Sequence, residues 1–199
     1  MTVGGWVEKY PHRGSPAIAN RVLQLLGNAG IKSKAVSRGL DHGVWAGFKV
    51  LFDPESNALS VPIVQVSLFA SEDPKQHQAL GRALAPLREE GVLIVTSGMA
   101  VHNLRDARSI GAGQVLQYTK TFDEALKGAV ESAVQEREDA MKALLKRADA
   151  RKAHPGFDHL LPIYVGAGAA GDNEGKRLWT WLDGSVSWAQ YKFGEVLQT

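Results

Sequence analysis

Six histidines, His12, His42, His77, His102, His154 and His159, carry most of the chemistry this sequence offers, because it contains no cysteine. Thiolate catalysis, disulfides, iron–sulfur clusters and cysteine-based zinc sites are thereby excluded. A transition metal would have to be held by His, Asp or Glu. No HExxH and no His-x3-His on a clean helix face occurs, so the common zinc-hydrolase patterns are absent. Ser97 and Ser185 lie outside any GxSxG context. Gly166-x-Gly168-x-x-Gly171 has the spacing of a dinucleotide loop. It falls in or after an apolar helix rather than between strand and helix, so close helix packing is the better reading.

The contexts of the histidines differ. His77 sits among Lys75, Gln76 and Gln78 and reads as a surface residue. His12 lies in a Pro/Gly-rich stretch that points to no role. His102 follows the apolar run 91–96 by a short turn, and ligands of α/β sheets collect at the carboxyl ends of strands. A hydrogen-bonded strand-end histidine would look the same. His42, between Asp41 and Gly43, suits a turn or an imidazole oriented by its neighbour. The run His154–Pro162 places a histidine at the first turn of an apolar helix, where a polar group needs a partner.

The elements that must position these residues read as α/β. Ser15-Pro16 opens a helix with Ile18, Val22, Leu25 and Leu26 on one face. Segments 31–36, 61–68 and 91–96 read as strands and 44–52 as a helix. Asp73-Pro74 starts a helix that closes before Gly91. Residues 121–151 read as two charged helices, 157–170 as a buried helix, and 178–182 and 186–193 as terminal strands. The expected fold class is α/β, a single domain over residues 1–199 with a central mixed β-sheet flanked by helices.

Composition narrows the class further. With 199 residues, 44% hydrophobic and 22% charged, the chain is of ordinary globular make-up. A net charge of +2, from 23 basic and 21 acidic residues, gives no drive toward nucleic acid or a membrane surface. The start, Met1 to Trp6, lacks a basic region followed by an apolar core, and no run reaches transmembrane length. A cytoplasmic location is therefore expected.

Several segments, in order, resemble one family: Arg38-Gly-Leu-Asp-His-Gly-Val-Trp45, Val61-Pro-Ile-Val-Gln-Val-Ser-Leu68, Gly81-Arg-Ala-Leu-Ala-Pro-Leu-Arg88 and Gly91-Val-Leu-Ile-Val-Thr-Ser-Gly98. His102-Asn-Leu-Arg105, His154-Pro-Gly-Phe-Asp-His-Leu-Leu-Pro162 and Gly184-Ser-Val-Ser-Trp-Ala-Gln-Tyr191 continue the series. Together they resemble the class III extradiol ring-cleavage dioxygenases, the LigB superfamily, in its DOPA 4,5-dioxygenase branch. The resemblance implies opening of a catechol-type ring by O2 at a non-haem Fe(II), with zinc able to replace iron. It implies His102 and His159 as metal-site residues, His42 and His102 as catalytic histidines, and Asn103 and Tyr191 beside the substrate. The family pattern places two further ligand histidines and central strands ahead of a segment like Tyr10–Pro16. Here the chain begins almost at that segment, so the metal set is expected to be incomplete. The alternative expectation is a homologue that binds an aromatic ligand or another chain without ring cleavage. Exposed sheet edges would favour a homo-oligomer or a sheet-completing partner.

Overall fold

The computed structural model describes residues 10–111 and 113–195. The reading of Met1 to Trp6 lies outside them. The chain is mixed α/β, as expected, and divides into two compact units, one up to Ser67 and one from Leu68.

The first unit holds two helices. α1 spans Pro16–Asn28. Ser15 caps it by accepting a hydrogen bond from the Ile18 N–H at 3.3 Å, and Val22, Leu25 and Leu26 form its buried stripe. α2 spans His42–Leu51 and starts earlier than expected, because Asp41 acts as its N-cap toward the Gly43 N–H. Tyr10, buried, ties the unit together by donating its hydroxyl to the Phe52 carbonyl at 2.9 Å. Residues 31–36 and 61–68 are not strands. Apolar content alone does not make a strand. The backbone needs a ladder partner, and among the described residues no ladder forms on them, although the Ile63 N–H donates to the Arg13 carbonyl at 2.8 Å.

The second unit is built on α3 (Pro74–Leu84), a 3-10 turn (Ala85–Glu90), α4 (Leu104–Ala107), α5 (Gln117–Val130), α6 (Val134–Leu144), α7 (Ala150–Ala153), a 3-10 turn (Phe157–His159) and α8 (Leu161–Ala169). β1 (Val101–His102), β4 (Val186–Ser187) and β3 (Leu182–Asp183) form a three-stranded sheet in that order. β2 (Gly175–Trp179) pairs with β5 (Gln190–Phe193); these strand pairs are antiparallel, and an isolated parallel bridge joins Val115 to Gly184. Residues 91–96 run extended without joining a sheet, contrary to the sequence expectation. Leu93 and Val95 are left 73% and 58% exposed. His77 is also placed against expectation. It is fully buried, donates Nδ1–H to the Asp73 carbonyl at 2.8 Å, and meets Phe69 edge-on. The i to i−4 bond to its own first turn lets an imidazole flanked by polar neighbours point inward.

Phe122, Leu126, Val130, Met141, Leu160 and Tyr164 lie at the core of this unit. Burial of each of the larger apolar side chains contributes about 1.5–3 kcal/mol before entropy is counted. One wall is made by backbone contact rather than side chains. A Cβ on Gly168 of α8 would lie 2.1 Å from the Gln78 carbonyl of α3, and one on Gly81 would lie 2.0 Å from the Val165 carbonyl. Gly168 thus serves helix packing, as its sequence context indicated.

A buried polar knot locks the sheets to α5. Asp123, 1% exposed, accepts from Ser187 Oγ, Thr180 Oγ1 and the Arg177 guanidinium at 2.5, 3.1 and 2.7 Å. Every partner is fixed in a strand or strand end, so the carboxylate reads out sheet geometry directly.

Gly168→Ala is expected to lower stability by about 1–3 kcal/mol, the range for overpacking. Gly27→Ala, at a helical position with open space around it, is expected to be neutral or slightly stabilising. Denaturant midpoints of the two variants check the contrast.

Candidate active site

His102 and His159 come together in the second unit. Their rings stack almost parallel, 9° apart, with centroids 3.8 Å from each other. The two residues are 57 positions apart in sequence, and backbone hydrogen bonds set their meeting. Met99 N–H donates to the His159 carbonyl at 2.8 Å. That approach requires Gly98: a Cβ there would lie 2.3 Å from the same carbonyl. The next residues are held by the sheet. Ala100 N–H donates to Ser187 O, Val101 and His102 lie opposite Ser187 and Val186, and Asn103 N–H donates to Ser185 O.

The turn that carries His159 is fixed from its other side. Glu72 accepts from the Phe157 N–H at 2.8 Å and pairs with Arg151 at 2.7 Å, and Arg151 lies over the Phe157 ring. The Arg151 hydrogen bond, followed by the Phe157 N–H, holds the Glu72 carboxyl below its ordinary value. Nδ1 of His159 lies 2.9 Å from a carboxylate oxygen of Asp158.

His154 stands behind this pair and was not among the expected site residues. It is fully buried between Phe122 and Phe157. Its Nε2–H donates to the Ala100 carbonyl at 2.9 Å, two residues before His102, and its Nδ1 has no partner among the described residues. Burial pushes its pKa down to about 4, and the imidazoles of His102 and His159 act in the same direction. It is therefore a neutral Nε2–H tautomer that supports the strand. Its isolated position at the head of the His154–Pro162 run was the available sequence signal.

Other expected residues are placed as follows. Asn103 is buried. Its side-chain oxygen caps α4 at Arg105 and Asp106, and its amide donates to Lys152 O at 2.8 Å and Tyr118 Oη at 3.2 Å. Tyr118 donates onward to Asp106, and burial followed by that bond pushes its pKa up to about 12. Tyr191 is half-buried in β5, opposite Arg177. Among the described residues its hydroxyl has no partner of good hydrogen-bond geometry, and burial raises its pKa. His42 belongs to the first unit. It is exposed at the start of α2 and meets Trp45 edge-on at 5.3 Å, while Asp41 is engaged with the helix cap and Arg38.

A cavity of about 400 Å³ opens beside His102. Met99, Leu104, Ile110 and Trp188 give it apolar walls, and Asp183 is its one carboxylate. Its size and lining suit a small, mostly apolar ligand. Among the described residues no group of three or more His, Asp or Glu side chains is arranged to hold a metal ion. His102 and His159 supply two imidazoles, short of the three protein ligands of a usual non-haem iron site. No helix among them is long and apolar enough to cross a membrane.

His154 makes folding pH-dependent in a defined window. Its pKa is lower folded than unfolded, so the unfolded chain binds more protons between the ordinary histidine value of 6.5 and about 4. The stability is fully present above that window and is lost as pH falls through it, by about 3 kcal/mol. His154→Gln, which keeps an N–H donor but cannot titrate, is expected to flatten this part of the profile. Denaturant unfolding at pH 7 and pH 4 measures it, and equal losses in both proteins would assign the effect to other groups.

Residues 5–191 match the family model described as the catalytic LigB subunit of aromatic ring-opening dioxygenase. The chain is 37% identical over 189 residues to a 4,5-DOPA dioxygenase extradiol of Beta vulgaris, covering 93% of this chain and 68% of that protein. It is 36% identical to the protein of the same name from Portulaca grandiflora, covering 94% and 69%. The crystal structure of an uncharacterized protein from Escherichia coli K12 superposes with a TM-score of 0.76 at 28% identity, over 93% of this chain and 75% of that one. With nearly its whole length matched in sequence and most of it in structure, the chain belongs to the LigB family of aromatic ring-opening dioxygenases.

Proposed function

We propose that this chain takes part in extradiol cleavage of a catechol-type, DOPA-like substrate by O2, with Fe(II) as the metal and His102 and His159 among its ligands. The observation that carries the reading is the stacked pair of imidazoles, of which His102 lines a small, mostly apolar cavity. Iron, when bound, supplies coordination of the substrate oxygens and of O2. The chain's own residues orient the rings and line the cavity. Asp158 lies beside Nδ1 of His159, and the Gly98–Met99 contact keeps the two rings in register. The apolar walls offer the ring a non-polar surface. His42 is proposed as a second catalytic histidine and Tyr191 as an aromatic beside the substrate. Asn103 acts from behind: with its amide bonded to Lys152 and Tyr118, it fixes the exit of the His102 strand.

The count of metal-holding groups favours a second reading. Two imidazoles without a third ligand among the described residues suit a homologue that binds an aromatic ligand without opening it. The exposed Leu93 and Val95, on an extended segment outside the sheets, suit the expected sheet-completing neighbour.

Metal analysis after anaerobic addition of Fe(II) separates the readings. The dioxygenase reading expects about one iron per chain, lost in His159→Ala, together with consumption of catechol and O2. Absence of tightly held iron in the parent protein would end that reading and leave the binding one.

A further inference from the structure

The cavity beside His102 has a charge pattern that bears on substrate choice. Asp183 is the one charged side chain among its lining residues, and neither Lys nor Arg contributes to the wall. Asp183 sits on the tight β3–β4 turn, opposite Val186. The next residue, Gly184, has φ +56°, in the left-handed region that suits glycine. It is pinned at three points: its N–H donates to Gln114 O, and its carbonyl accepts from Leu116 N–H and Thr119 Oγ1 at 2.9–3.0 Å. The carboxylate therefore projects from fixed backbone, and it has no side-chain partner among the described residues.

We infer that Asp183 selects among aromatic ligands by charge, favouring a catechol whose side chain ends in an ammonium over one that ends in a carboxylate. This rests on the ring-cleavage reading for the identity of the ring, but not for the preference itself. The apolar walls, Leu104, Ile110 and Trp188 among them, take the ring and are indifferent to the charge of its tail. A cationic tail reaching the rim meets an unneutralised carboxylate, whereas an anionic tail is repelled by it and finds no counter-cation there. Asp183 is exposed, so the attraction is screened and amounts to a few-fold in affinity, with repulsion of the acid adding a similar factor.

Dopamine and 3,4-dihydroxyphenylacetate share a ring and differ in the charge of the tail. Their binding to the full chain is measured by titration calorimetry, with quenching of tryptophan fluorescence as a second readout, since Trp188 lines the cavity. Dopamine is expected to bind roughly tenfold more tightly at low salt. The ratio should shrink toward one in Asp183→Asn and reverse in Asp183→Lys. A ratio near one in the parent protein, or one unchanged in Asp183→Asn, overturns the inference. If catechols are cleaved without charge preference, the inference fails and the ring-cleavage reading stands. If the preference appears and vanishes in Asp183→Asn while no ring is opened, the inference stands and that reading fails. If neither compound binds, both fail.

Discussion

One missing side chain sets the geometry on which the site depends. Gly98 lets the backbone of residues 97–99 touch the turn at His159, where any Cβ would overlap the carbonyl. The Met99–His159 hydrogen bond then fixes a strand end against a helical turn 60 residues away in sequence. The sheet bonds of Ala100 and Asn103, and the support of Ala100 by His154, extend that single contact into a rigid frame. The alignment of His102 with His159 follows from backbone position, so no side-chain contact between them is needed to bring the rings together.

The same economy appears one layer out. Asp123 accepts from three groups on the sheet side, and the Asp123–Arg177 pair is almost wholly removed from water. Removing one partner of such a pair is costly because the remaining charge stays buried, whereas the intact pair adds modestly to net stability. Its value here is register: Arg177 stands opposite Tyr191, and Ser187 stands opposite Val101, so one carboxylate reports on both sheets.

The helices were legible in the sequence because their signals are local. Ser15-Pro16 and Asp73-Pro74 each carry a cap and a first-turn proline, and both start where the residues say. The extended segments 61–68 and 91–96 misled because an apolar run reports burial propensity, while a strand requires a partner backbone. His77 differs from expectation for a related reason: Lys75 and Gln76 mark the exposed face of the helix, whereas His77 and Gln78 turn inward. The pairing of His102 with His159 was reachable only through family resemblance, since nothing local in either segment encodes a contact across 57 residues. His154 left a trace, a histidine at the head of an apolar run, but its neutral, strand-supporting role appears only once Ala100 is seen opposite it.

The contact of α3 with α8 through Gly81 and Gly168 has a consequence for how sequence variation in this chain should be interpreted. Gly81 lies on α3 and Gly168 on α8, and neither lines the cavity beside His102. Yet adding a single methyl group at either position would place it inside a neighbouring carbonyl. A change from glycine to alanine, scored as mild by chemical similarity, would there push apart two helices and shift the turn at His159 that leads into α8. Genetic lesions at these positions would present as lost activity and be mistaken for damage to the chemistry, although the affected part is the scaffold.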